Sequence, residues 1–182
     1  MNRERLLERF LQYVAIDSTA DETQTKYPSS DGQLEVGRLL AEQLKALGAD
    51  EVSQDQYGLV TALIPGEPNS PTVALNSHVD TSPETSGANI RPQVIADYPG
   101  GDIQLPNGSL TITTRENPEL DHLVGATLIT SDGTTLLGGD DKAGIAVIME
   151  LAHHLREHPD IQHAPVRILF TCDEEIGHGV DH

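Results

Sequence analysis

The sequence predicts an α/β fold built around a mixed, partly parallel sheet. Three observations carry that expectation. Amphipathic helical stripes alternate along the chain with short, apolar, β-branched runs. A long helical stretch, residues 141–158, stands between strand signals, an order that sets two strands parallel through a right-handed crossover. Three polar motifs also follow directly on apolar runs, and strand ends are where open α/β sheets gather functional side chains.

The elements follow in order. Leu6, Leu7, Phe10, Leu11 and Val14 recur at helical spacing between Arg and Glu, which makes the opening stretch an amphipathic helix. Residues 17–32 are rich in Ser, Thr, Asp and Gly and read as a loop. A second helix is expected over 33–47, with Leu34, Leu40, Leu44 and Leu47 inward and Gly48 as its C-terminal cap. Runs 58–64 and 71–76 read as neighbouring strands joined by the polar turn 66–71. From 82 to 123 frequent Pro, Gly and Asn break the pattern, so this segment is expected to be an excursion with a small hairpin near 103–114. Residues 127–130 and 134–137 read as a second hairpin about Ser131-Asp132-Gly133. The helix at 141–158 takes its apolar face from Ile145, Ile148, Met149, Leu151, Ala152 and Leu155, and Pro159 follows its end. Residues 166–172 form the last strand.

Composition narrows the function. The 182 residues suffice for one domain with a core, and that core must be aliphatic, because aromatic residues are 3% and Trp is absent. A net charge of −18 argues against nucleic acid and anionic membranes as partners, since both need a basic face. The single cysteine, Cys172, excludes an internal disulfide and lies in an apolar run as a small buried side chain. Neither a secretory signal nor a membrane-length apolar run is visible, so a cytoplasmic location is the default expectation.

The strand-end motifs carry the chemistry. In His78-Val79-Asp80 the outer two residues face one side, and Asp80 is placed to take the second ring N–H of a ligating His78. In Gly138-Gly139-Asp140-Asp141-Lys142 the glycines allow a sharp turn, and the aspartates stand where a helix starts; they suit an N-cap or a metal bridge. A phosphate loop is opposed by the two aspartates and by the lack of a Gly-Lys-Ser/Thr ending. In Asp173-Glu174-Glu175 the acids suit a solvated turn, or one ligating carboxylate beside one proton acceptor.

Together these motifs resemble those of the zinc-dependent M20 metallopeptidase family. Ser77-His78-Val79-Asp80-Thr81, Leu137-Gly138-Gly139-Asp140-Asp141-Lys142-Ala143-Gly144 and Asp173-Glu174-Glu175-Ile176-Gly177 carry the likeness. The 82–123 excursion and residues 122–133 resemble its tripeptide aminopeptidase branch more than its carboxypeptidases or N-acyl amino acid deacylases. The resemblance implies a three-layer α/β/α zinc-peptidase-like catalytic domain, of which 1–182 is the N-terminal part. It also implies two zinc ions in the complete site, a small peptide substrate, and a homodimeric full-length parent with a separate dimerisation domain. His78, Asp140 and Glu175 would be metal ligands, with Asp140 bridging through a cis bond to Asp141. Asp80 would orient His78, and Glu174 would be the general base. Family ligands expected beyond the third motif leave the set incomplete, with His178 and His182 as substitutes in name only. The chain alone is then expected to bind zinc weakly, to show little peptidase activity, and to expose the edge of its last strand. A non-catalytic metal-binding fragment is the reading from another class.

Overall fold

The structure is a computed structural model that describes residues 1–107 and 110–182. In chain order it contains α1 (Arg3–Val14), α2 (Asp31–Ala46), β1 (Asp50–Gln54), β2 (Val60–Ile64), β3 (Val73–His78), β4 (Gln93–Ile95), β5 (Ile103–Gln104), β6 (Thr111–Ile112), β7 (Leu128–Thr130), α3 (Gly139–Glu157) and β8 (Val166–Thr171). These fall into two compact units, residues 1–84 with 138–182, and residues 85–137. No helix among the described residues is long and apolar enough to cross a membrane.

The first unit is α/β, as the sequence predicts. Its sheet has the order β1-β2-β8-β3. β8 pairs antiparallel with β2 and parallel with β3, so the sheet is mixed. The expected pairing of 58–64 with 71–76 is corrected, because β8 lies between them. A short connection permits two strands to pair but does not force it, and β8 offers the better apolar match. Its Val166, Ile168 and Phe170 align with Ile64, Ala62 and Val60, and all six are buried. Burying each such side chain is worth about 1.5–3 kcal/mol. The last strand is therefore central, and the edges are β1 and β3, the latter with Val73 and Ala74 exposed. β1 was not expected; its Asp-Glu-Val-Ser-Gln sequence has one apolar residue, and a largely exposed edge strand needs no more.

Helices cover the buried face. A Cβ at Gly37 of α2 would meet the Val60 side chain at 3.2 Å, and Ile64 shares a small cavity with Leu155 of α3. Thr61, Leu63, Arg167 and Leu169, on the opposite face, are half-buried. Leu40 and Leu44 of α2 are fully buried as predicted, whereas Leu34 and Leu47 are half-buried and Gln33 takes an inward place. Gly48 closes α2 with a left-handed backbone, φ 72°. Its N–H reaches Lys45 O at 2.9 Å and the Ala49 N–H reaches Leu44 O at 3.0 Å, the bond pair of a Schellman cap.

α1 is joined to α3 by a buried ion cluster. Glu150 has no exposed side-chain surface, and its carboxylate accepts from Arg5 Nε at 2.7 Å, Arg5 Nη2 at 2.9 Å and the Asn2 N–H at 2.7 Å. Burial by itself would raise the Glu150 carboxyl, but the Arg5 and Asn2 hydrogen bonds hold it below its ordinary value. Arg5 also grips Glu157 through both oxygens at 2.8 Å.

The second unit has its own apolar cluster of Tyr98, Ile103, Leu105 and Leu120, with Ile95, Ile112 and Leu128 against it. β5 pairs with β6 within the hairpin expected near 103–114, and residues 108–109 of that expectation lie outside the described residues. β7 pairs with β4. The expected hairpin between 127–130 and 134–137 is corrected accordingly. Asp132 is buried and accepts from Thr134 N at 2.9 Å, Thr134 Oγ1 at 2.6 Å and Asn107 Nδ2 at 2.7 Å. That local turn redirects the chain before 134–137 can pair back on β7.

Glu150→Ala should lower stability by about 1.5–3 kcal/mol, because Arg5 keeps only Glu157, and the Asn2 N–H and Arg9 lose their carboxylate; the shift in urea midpoint measures it. The Glu150 carboxyl is depressed in the folded state. Its contribution is therefore present above the unfolded-state pKa of about 4.3 and is lost as pH falls through the lower folded value. Glu150→Gln should flatten that part of the acid-unfolding curve.

Candidate metal centre

β3 and β8 run in register from Val73 opposite Val166 to His78 opposite Thr171. Two parallel strands paired this way must end at the same level. β3 continues into Val79 and Asp80, and β8 into Cys172 and the three acids. Residues 18–20 lace this rim from the side. Ser18 Oγ donates to Val79 O at 2.7 Å, and the Ala20 N–H donates to Thr81 O at 3.0 Å.

The structure brings His78, Asp140 and Glu175 together, with one ligand atom of each within 4.8 Å of the others. His78 Nε2 stands 3.0 Å from Asp140 Oδ1 and 3.8 Å from Glu174 Oε2. On the other side of the ring, Nδ1 donates to the Asp80 carbonyl at 3.1 Å and lies 3.4 Å from its carboxylate. The ring therefore presents Nε2 to the cluster. His178 and His182 are not in it. His178 bonds Asp181 at 2.6 Å, and His182 stacks on Tyr57 with ring centres 3.9 Å apart.

Asp80 does more than orient a ring. Its side chain is fully buried, and its two oxygens accept the Glu174 N–H at 3.2 Å and the Glu175 N–H at 3.0 Å. One carboxylate thus links the end of β3 to the turn after β8. The third motif also divides its acids by burial. Asp173 turns inward in a left-handed conformation, φ 56°, with 1% of its surface exposed. It accepts from Ser29 N at 2.7 Å, Ser29 Oγ at 2.5 Å and Gln33 Nε2 at 2.6 Å, while Gln33 Oε1 accepts its N–H at 3.0 Å. Glu174 and Glu175 are left facing the rim. Sequence reading did not single out Ser29, Gln33 or Asp173 for this. The available signal was Gln33 itself, a polar residue on the helical stripe of Val36, Leu40 and Leu44.

The second motif divides likewise. The Asp140–Asp141 peptide bond is cis. Asp140 points at His78, whereas Asp141 caps α3 by accepting the Gly144 N–H at 3.2 Å and the Ser77 hydroxyl at 2.7 Å. A Cβ on Gly144 would meet Asp141 Oδ1 at 2.4 Å, so a side chain there would push the Asp141 carboxylate out of this place. The expected cap is present at Asp141, while Asp140 contacts His78. Lys142 is fully buried and donates to Ile16 O at 2.7 Å. Burial lowers its ammonium to about 8 against the pull of Asp17 and Asp80.

The charge balance fits a cation. Burial by itself would lower the His78 imidazole. The hydrogen bond and charge of Asp80, the Asp140 bond and the Glu174 charge outweigh it and raise the group to about 9. Glu175 is raised too, first by burial and then by Asp140, Asp80 and Glu174, with His78 opposing. One imidazole with two carboxylates is a zinc-type donor set.

No family model matches the chain. Curated proteins do. Peptidase T of Clostridium perfringens is 49% identical over 177 residues, which cover 96% of this chain and 43% of that protein. Peptidase T of Caldanaerobacter subterraneus is 48% identical over 180 residues, 97% of this chain and 44% of that protein. The chain is a homologue of peptidase T. It spans less than half the length of the curated relatives it matches. Among solved structures, aminopeptidase PepT from Bacillus cereus matches with TM-score 0.66 and 27% identity, over 97% of this chain and 38% of that one. A tripeptidase from Staphylococcus aureus matches with TM-score 0.64 and 28% identity, over the same shares of the two chains.

For this peptidase T homologue, Asp80→Asn should lower the His78 pKa from about 9, because the opposing burial effect is then less compensated. An NMR titration of the imidazole in metal-free protein reads it directly. A raised imidazole stabilises the fold below its unfolded pKa of about 6.5, and that contribution is lost as pH rises through about 9. In Asp80→Asn the loss should fall at lower pH. Separately, Asp173→Ala strands the Ser29 and Gln33 donors in a buried place. It should cost about 2–4 kcal/mol by thermal or urea unfolding.

Proposed function

We propose that this sequence supplies part of the active site of a dizinc aminopeptidase that removes the N-terminal residue of tripeptides. The observation that carries the reading is the convergence of His78, Asp140 and Glu175, with Glu174 beside them at the rim. His78, Asp140 and Glu175 would hold zinc. Zinc bound there supplies a Lewis acid that polarises a peptide carbonyl and makes water acidic enough to attack near neutral pH.

The chain's own groups do the rest. Asp80 keeps the Nδ1 proton of His78, so that Nε2 is the ligating nitrogen. The Glu174 carboxylate is 60% exposed at the rim, held in place through its backbone by Asp80, and 3.8 Å from His78. It takes the proton of the attacking water and passes it to the leaving amine. The acidic rim attracts the ammonium group of a peptide N-terminus. A cytoplasmic location and a homodimeric full-length parent belong to the same reading. Homology to peptidase T and likeness to PepT support it.

Among the described residues this cluster offers three donors, fewer than two four-coordinate zinc ions require. That favours, as a second reading, a metal-binding chain that does not turn over by itself. Zinc analysis and a tripeptide hydrolysis assay on the 182-residue chain separate the two. The expected result is weak zinc binding, weakened further in Glu175→Ala, with little turnover. In the full-length parent, Glu174→Gln should lower kcat by roughly 10²–10⁴ with little change in KM. A parent that retains full kcat with Glu174→Gln overturns the assignment of the base. A parent that cleaves acylated amino acids but not tripeptides overturns the substrate class.

A further inference from the structure

A second cluster of metal-ligating groups lies at the far end of α3, roughly 20 Å along the helix from the first. His154 and His158 are four residues apart and share a face. Their ring centres are 4.5 Å apart, and one ligand atom each of His154, Glu157 and His158 lies within 4.8 Å of the others. His158 is exposed and sits where the helix ends, which leaves its ring free to adjust. The intervening Arg156 points away, its Nε donating to Leu47 O at 3.2 Å. The Met1 amino group stands 3.3 Å from His154 Nδ1, an exposed contact that a metal at that nitrogen would displace.

We propose that His154 and His158 form a second metal site, distinct from the candidate centre, that takes a copper, nickel or zinc ion on two imidazole nitrogens. Nitrogen donors select these metals over magnesium or calcium. The His-x-x-Glu-His spacing on a helix is also one that zinc peptidases use, with the glutamate as base. Here Glu157 does not serve that purpose. Arg5 holds both of its oxygens, and Arg5 is itself anchored by buried Glu150. Glu157 is instead a fixed negative charge beside the imidazoles, and water completes the metal's shell. The site binds without catalysing, and it does not depend on the proposed peptidase reading.

Nickel titration by calorimetry tests it, in a background that disables the first cluster. Asp140→Ala serves, because the Asp140 side chain is 86% exposed and its loss leaves the core untouched. That variant should bind one equivalent of nickel, and the equivalent should vanish when His154→Ala or His158→Ala is added. With copper in place of nickel, electron paramagnetic resonance should show coupling to two imidazole nitrogens. No nickel binding by Asp140→Ala, or binding unchanged by both histidine substitutions, overturns the proposal. In the otherwise native chain, His158→Ala should leave zinc binding at the first cluster intact, so failure of one site is read apart from failure of the other.

Discussion

Parallel pairing of β3 with β8, His78 opposite Thr171, brings two strand ends to one level and sets an imidazole beside a run of acids. The arrangement would cost too much without Asp80. Its buried carboxylate takes the backbone N–H groups of Glu174 and Glu175 and lies against the ring of His78. The strand ladder fixes the level of the two ends, and this carboxylate fixes the turn after β8 against the end of β3. His78 and Glu175 lie nearly a hundred positions apart, and the strand pairing together with the Asp80 carboxylate holds them side by side.

Burial then assigns roles among like neighbours. Asp173, Glu174 and Glu175 are chemically near-equivalent, yet one is buried under Ser29 and Gln33 and two face the rim. Asp140 and Asp141 are identical, yet one meets His78 and the other caps α3. A buried carboxylate needs several donors; Ser29 and Gln33 provide them for Asp173, and the Ser77 hydroxyl and the Gly144 N–H for Asp141. The remaining acids crowd together at the rim, where burial first and then the charges of Asp140, Asp80 and Glu174 raise Glu175.

Much of the fold was legible. The three helices stand out because their apolar residues repeat at 3.6, and the β2, β3 and β8 segments because they are short, apolar and β-branched. Strand neighbours were less so. A turn between 64 and 73 suggested that β2 and β3 pair, but β8 wins the place because Val166, Ile168 and Phe170 bury opposite Ile64, Ala62 and Val60. β7 likewise pairs with β4, since Asp132 holds Thr134 in a local turn. β1 carries one apolar residue in five and gives almost no periodic signal.

By itself the sequence determined the α/β class, the placement of His78 and Glu175 at or just past strand ends, and the likeness to a zinc peptidase family. Local periodicity and short motifs carry that information, because side-chain spacing and turn chemistry act over a few residues. Tertiary structure alone decided the strand order, the double duty of Asp80, the anchoring of Asp173 by Gln33, and the separation of Asp140 from Asp141. Each depends on which distant donor or apolar face a residue meets, and that follows from packing rather than from neighbours along the chain.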